Sequence, residues 1–126
     1  MRAVDTNVLV RLLTKDDPRQ VAGAEAFVAP GAWVSHLVLA EAVRVLESVY
    51  ARSEDDIARG VDLLLQHQEL TLQDPEVVAA ALTVFTGRSG VGFSDCLLLE
   101  IARKAGHLPL GTFDRPLGRL DGAQLL

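Results

Sequence analysis

Short apolar segments alternate along almost the whole chain with longer segments whose apolar residues recur at helical spacing. The first short segment, Arg2 to Val4, is followed at once by such a run, in which Val8, Leu9 and Leu12 share one face. Alternation of this kind is typical of parallel sheets, because parallel strands must be joined by crossovers that are usually helices. The sequence therefore predicts an α/β fold with a central parallel sheet of four to five short strands, covered by helices on both faces.

Local signals give the expected bounds of the elements. Strands are predicted at residues 2–4, 32–35, 69–72, 108–112 and 123–126, and helices at 7–13, 18–28, 37–50, after Ser53, at 75–85 and at 95–104. Asp17 before Pro18 and Ser53 with Asp56 are helix-start signals, the second resembling a capping box. Ser94 is expected to cap the late helix, which Gly106 ends, while residues 114–116 are expected to form a turn.

Composition limits the size and location of the protein. The 126 residues fit a single domain spanning 1–126, and with 49% apolar but only 5% aromatic residues its core must rely on Leu, Val and Ala. Cys96 is the only cysteine, which excludes an intrachain disulfide and a thiolate metal cluster. No segment approaches the roughly 20 apolar residues of a membrane helix, and no signal peptide is evident, so we expect a cytoplasmic protein without membrane contact.

The charge balance limits how the protein can bind nucleic acid. A net charge of −5 argues against a broad basic surface that binds nucleic acid by counterion release. Any nucleic acid must therefore be held locally, by a few basic side chains near a site.

Four carboxylates stand where α/β proteins place their chemistry. Asp5 follows the first strand, Glu41 lies in an apolar helix, Asp95 begins a late helix and Asp114 follows the fourth strand. Ligands of open parallel sheets bind beyond the carboxyl ends of the strands, so we expect these acids to converge. Like charges 4 Å apart repel by about 4 kcal/mol at an effective dielectric near 20, and a divalent cation relieves that repulsion. All-oxygen sites suit Mg²⁺ or Mn²⁺, which can activate water for phosphodiester hydrolysis.

Each acid also has an ordinary structural alternative. Asp5 and Asp95 are good helix caps, and Asp114 is a good turn residue. Glu41 is flanked by apolar residues and is expected to be buried, in which case it needs a partner, and Arg44 is the nearest candidate. Small polar residues adjoin these acids and are expected to orient carboxylates or metal-bound water, namely Thr6, Asn7, Ser94 and Thr112.

Over nearly its whole length the chain resembles PIN domains, and specifically VapC-type ribonuclease toxins of toxin–antitoxin pairs. The resemblance is carried by Asp5-Thr6-Asn7-Val8-Leu9, Glu41, Phe93-Ser94-Asp95-Cys96-Leu97 and Thr112-Phe113-Asp114. It implies a PIN-like three-layer α/β/α sandwich and a Mg²⁺- or Mn²⁺-dependent endoribonuclease, usually a homodimer, inhibited by a small antitoxin. It also implies that Asp5, Glu41, Asp95 and Asp114 are the catalytic metal-site acids, with Thr112 beside the fourth.

The sequence is compatible with more than one set of RNA contacts and more than one function. RNA contacts are expected from Arg11, Arg44, Arg88 or Arg115, each of which is also a plausible surface residue. An aspartyl-phosphate phosphatase of the haloacid-dehalogenase type is an alternative, although Asn7 stands where that chemistry requires a second Asp. A non-catalytic interaction module, in which the acids are only caps and turn formers, is another.

Overall fold

The fold was obtained as a computed structural model that describes residues 1–126. The chain divides into two compact units, Met1–Pro75 and Glu76–Leu126, and each is described by itself.

The first unit is a three-stranded parallel sheet with four helices. In chain order it contains β1 (Arg2–Ala3), α1 (Thr6–Thr14), α2 (Pro18–Val28), β2 (Ala32–Val34), α3 (His36–Ser48), α4 (Glu54–Gln66) and β3 (Leu70–Leu72). The strand order is β1-β2-β3, with Arg2 opposite Ala32 and Ala32 opposite Leu70. Each crossover carries two helices, which gives the chain the length that a parallel connection requires.

Side-chain caps fix where the helices of the first unit begin. The side chains of Asp5, Asp17, Ser35 and Ser53 each accept a hydrogen bond from a backbone N–H in the first turn of their helix. Ser53 and Asp56 form the reciprocal capping box that the sequence predicts. The apolar helix faces then pack on the sheet, and the core includes Leu9, Val34, Leu39, Ile57 and Val61.

The second unit has three helices and a two-stranded parallel sheet. It contains α5 (Pro75–Thr86), of which all but Pro75 belong to this unit, α6 (Phe93–Ala105), β4 (Leu110–Thr112), α7 (Arg115–Gly118) and β5 (Ala123–Leu125), with Leu110 opposite Ala123. Phe93 is fully buried and meets Phe85 edge to face, with ring centroids 5.9 Å apart. This aromatic pair lies between the start of α6 and the end of α5 and fixes that part of the core.

The α/β class with parallel strands is confirmed. All five predicted strands exist, and they form one three-stranded and one two-stranded hydrogen-bonded sheet. No helix is both long enough and apolar enough to cross a membrane.

Two local predictions in the second unit are wrong. Ser94 does not cap α6: the N-cap is Gly92, without a side-chain hydrogen bond, and the helix begins at Phe93 rather than Asp95. The segment after Asp114 is not a plain turn, since Arg115–Gly118 forms a short helix with Pro in its first turn. The prediction that Gly106 ends α6 is confirmed, with Gly106 at φ 82° in the left-handed region.

Candidate active site

Asp5 has a structural role that leaves part of its carboxylate free. The residue is the N-cap of α1, and its Oδ1 accepts the backbone N–H of Val8 at 3.1 Å. The side chain is exposed, and its Oδ2 has no hydrogen-bond partner. A carboxylate offers about four acceptor positions, so capping α1 does not prevent Asp5 from binding a cation. The capping alternative is therefore real, and it is compatible with the metal-binding one.

Glu41 is held beside the start of α1. The Thr6 hydroxyl donates to Glu41 Oε2 at 2.7 Å, joining α1 to α3 next to Asp5, while Oε1 has no partner. The expected burial of Glu41 is wrong, and the alternative in which Arg44 pairs with it is not realised. It is exposed rather than buried, because the buried residues of α3 lie on the opposite face, and it forms no ion pair with Arg44. Arg44 instead lies near Glu47. Burial raises the pKa of Glu47, and the positive charge of Arg44 opposes part of that increase.

In the second unit, Asp95 lies in the first turn of α6 and is not its cap. Asp95 is half-buried and its carboxylate makes no hydrogen bond or ion pair, although the helix N-terminus favours a negative charge there. The adjacent Ser94 Oγ is buried and has no hydrogen-bond partner. A buried hydroxyl without a partner is unusual. Both side chains therefore retain unused hydrogen-bonding capacity.

A hydrogen bond from the backbone of Asp114 to the side chain of Thr112 joins these two residues. Asp114 N–H donates to Thr112 Oγ1 at 3.0 Å, which fixes the chain where β4 ends and α7 begins. Although Asp114 is the N-cap residue of α7, its side chain makes no capping hydrogen bond. Its exposed carboxylate is free of protein partners, so neither the cap nor the turn role uses its charge.

The structure thus brings together some of the predicted site residues and not others. Asp5, Thr6 and Glu41 lie together in the first unit, and Thr112 contacts Asp114 in the second. Within neither unit do three or more His, Cys, Asp or Glu side chains form a group that can hold a metal ion. The donors are all carboxylate or hydroxyl oxygens with unused acceptor positions, and the unpartnered Ser94 hydroxyl adds one more. This donor chemistry fits Mg²⁺ or Mn²⁺. Convergence of all four acids stays a prediction.

A groove of about 470 Å³ lies between α1 and α2 and includes Asp5; we refer to it as the α1–α2 groove. It is lined by Asp5, Asn7, Val8, Arg11, Gln20, Gly23, Ala24 and Phe27. Sequence reasoning pointed to Asn7 and Arg11 but missed the residues that α2 contributes. The sequence did contain a signal for them, because the α2 residues of the groove recur at the i, i+3, i+4, i+7 spacing of one helix face: Gln20, Gly23, Ala24 and Phe27.

Arg11 is held in the groove by a polar network. Its Nη1 donates to the Tyr50 hydroxyl at 2.9 Å and pairs with Asp16 at 3.3 Å, and its Nε donates to Gln20. Tyr50 in turn donates to Asp16 Oδ2 at 2.7 Å. The hydrogen bond with Tyr50 is the main reason why the pKa of Arg11 is raised and the pKa of Asp16 is lowered.

The lowered pKa of Asp16 predicts how acid acts on the first unit. Because the folded-state pKa lies below the unfolded value, the contribution of Asp16 to stability is present above the unfolded pKa and is lost as pH falls through the folded one. Tyr50→Phe removes the largest cause of the shift. We expect the variant to be less stable than the wild type at neutral pH, with the difference shrinking between about pH 5 and pH 2. Denaturant unfolding across that range measures it, and a difference that does not change with pH would contradict the assignment.

Comparison with known protein families gives one match. The PIN domain model matches residues 2–123, which covers nearly the entire chain and both compact units. The chain belongs to the PIN domain family. Comparisons with curated proteins and with solved structures give no match.

Membership of the PIN domain family confirms the PIN-like α/β/α class of fold. It also supports a hydrolase of nuclease type, since PIN domains are generally nucleases that use divalent metal ions and bind RNA.

Proposed function

We propose that this PIN domain is a Mg²⁺- or Mn²⁺-dependent endoribonuclease and the toxic component of a type II toxin–antitoxin pair. The observation that carries the proposal is the arrangement at the start of α1, where Thr6 holds the Glu41 carboxylate beside Asp5. PIN domains are generally nucleases, and here two carboxylates have oxygens without a partner. Together these features favour hydrolysis of a phosphodiester over a purely structural role.

We assign the metal to Asp5, Glu41, Asp95 and Asp114 as ligands. A divalent ion held there would supply Lewis-acid activation of water and would offset charge on the phosphate. The protein's own contribution is to fix the ligands. The α1 cap orients Asp5, the Thr6 hydroxyl orients Glu41, and the backbone link to Thr112 positions the start of α7. We assign Ser94, whose hydroxyl has no protein partner, and Asn7, which lines the groove with Asp5, to orienting ligands or bound water.

The proposal includes partners and a compartment. We propose RNA as substrate, a small antitoxin that inhibits by placing an Arg or Lys side chain against the acids, a homodimer, and a cytoplasmic location. The family match supports the RNA part of this proposal, because PIN nucleases bind RNA.

The substrate class is tested by offering two phosphoesters in Mg²⁺. We expect endonucleolytic fragments from single-stranded RNA and no release of p-nitrophenol from p-nitrophenyl phosphate, because Asn7 cannot supply the second carboxylate that an aspartyl-phosphate mechanism needs. Hydrolysis of p-nitrophenyl phosphate with intact RNA would favour the phosphatase alternative. Hydrolysis of neither substrate would favour the interaction module.

A further inference from the structure

The α1–α2 groove contains more chemistry than a metal site requires. Besides Asp5 it holds a fixed guanidinium, an aromatic ring and a small-residue floor. We propose that this groove is a nucleotide subsite, in which one nucleotide flanking the cleaved bond stacks its base on Phe27 and places its phosphate against Arg11. The proposal rests on the ribonuclease function and specifies where that enzyme holds its substrate.

Phe27 has the properties of a stacking platform. Its ring is half-buried, lines the groove, and is fixed by Arg2, whose guanidinium carbon lies 3.9 Å from the ring centroid. Arg2 also donates to the Phe27 carbonyl at 2.8 Å, so the stack is anchored at two points. Aromatic side chains stack with every nucleobase because each base has a π-face. A positioned aromatic ring in the same groove as Asp5 therefore favours unpaired RNA over a small phosphoester.

Arg11 supplies a local phosphate contact. Its Nε and Nη1 are engaged by Gln20, Tyr50 and Asp16, whereas Nη2 has no partner. The guanidinium is thus pre-oriented with donors to spare, which lowers the entropy lost when a phosphate binds. Asp16 offsets part of the Arg11 charge, so the phosphate contact depends on hydrogen bonds from the free Nη2 rather than on long-range attraction.

Helix α1 sets the distance between Asp5 and Arg11, and helix α2 leaves open space in the groove. Arg11 follows Asp5 by six residues, which at 1.5 Å per residue is about 9 Å along α1. The subsite is therefore adjacent to the carboxylate and distinct from it. On α2, a Cβ added to Gly23 would meet no heavy atom within 4 Å, and the next residue is the small Ala24. The groove is open at the point where a ribose or base must enter.

The first experiment blocks the groove without unfolding the helix. Gly23→Leu puts a large side chain into the open space and also improves helix propensity. We expect kcat/KM for a single-stranded RNA oligonucleotide to fall at least about tenfold, with an unfolding midpoint no lower than that of the wild type. Ala22→Leu, which introduces the same side chain at an exposed neighbouring position outside the groove, should leave kcat/KM within about twofold.

The second experiment combines a change in the RNA with a change in the protein. An abasic site is moved through the oligonucleotide, and at one position the wild type should lose about five- to a hundredfold in kcat/KM. Phe27→Leu, which keeps an apolar side chain but removes the ring, should lose a similar factor on the intact oligonucleotide and nothing further at that abasic position. Phe27→Tyr should restore both the activity and the sensitivity to the abasic site.

The outcomes separate the subsite from the enzyme. RNA cleavage that is normal in Gly23→Leu, or an abasic penalty unchanged in Phe27→Leu, overturns the subsite and leaves the ribonuclease intact. Failure of the wild type to cleave any RNA overturns the proposed function. In that event, the same oligonucleotide is labelled with a fluorophore and its binding is measured in EDTA. Weaker binding by Gly23→Leu than by Ala22→Leu supports the subsite, and equal binding overturns it.

Discussion

Replacement of Asp5 by Asn is expected to lower RNA cleavage in Mg²⁺ by at least about a hundredfold while leaving the unfolding midpoint in EDTA close to that of the wild type. The two effects separate because Asp5 has two roles. Asn caps helices as well as Asp does, so the hydrogen bond from Val8 to the side-chain oxygen can be kept. The charge that would hold a divalent cation is lost.

Asp17 provides the matched control for this prediction. It caps α2 as Asp5 caps α1, accepting the backbone N–H of Gln20 at 3.2 Å, and it is not among the proposed ligands. Asp17→Asn should therefore cleave RNA at close to the wild-type rate. Comparable losses in both variants would mean that capping, rather than metal binding, explains the effect at Asp5. Undiminished cleavage by the wild type in excess EDTA would contradict the metal requirement itself.

The sequence predicted helix starts well where the signal is local and a side chain carries it. Asp17 before Pro18 and the Ser53–Asp56 capping box depend on residues within one turn of each other, and both are present in the structure. The predicted start of α6 is wrong because there the deciding contact is not local to the cap. Ser94 is the better cap by residue type, but burying the Phe93 ring against Phe85 makes Phe93 the first helical residue. Packing between α5 and α6 outweighs the cap preference, and the Ser94 hydroxyl is left without a partner.

In the candidate site, too, the features set by local sequence are predictable and those set by packing between helices are not. The positions of Asp5 and Asp114 after strands follow from strand and helix alternation, which the sequence displays. The predicted burial of Glu41 is wrong because apolar neighbours along the chain do not decide burial: Leu39, Val43 and Leu46 define the buried face of α3, and the exposed Glu41 lies opposite them. Its partner Thr6 is 35 residues away. A contact over that separation depends on how α1 packs against α3, which no local pattern encodes.

The largest expected effect on stability concerns Asp95 and needs no substrate. If Asp95 is a metal ligand, Mg²⁺ or Mn²⁺ stabilises the folded protein by an amount that grows logarithmically with free metal, about 2.7 kcal/mol at a hundred times the dissociation constant. If Asp95→Asn raises that constant about a hundredfold, the same metal concentration stabilises the variant by only about 0.4 kcal/mol. Denaturant unfolding of both proteins, in EDTA and across a metal titration, gives these free energies.

Asp55 makes this test specific to the metal. Like Asp95 it lies in the first turn of a helix, where a negative charge interacts favourably with the helix N-terminus, and its loss is expected to cost about 0.3 to 1 kcal/mol. Asp55→Asn should therefore show that small loss in EDTA and keep the full stabilisation by metal. Asp95→Asn should lose the metal response whatever its stability in EDTA. An Asp95 variant that responds to metal as strongly as the Asp55 variant would mean that Asp95 serves only its helix, and the ligand set would then have to be assigned without it.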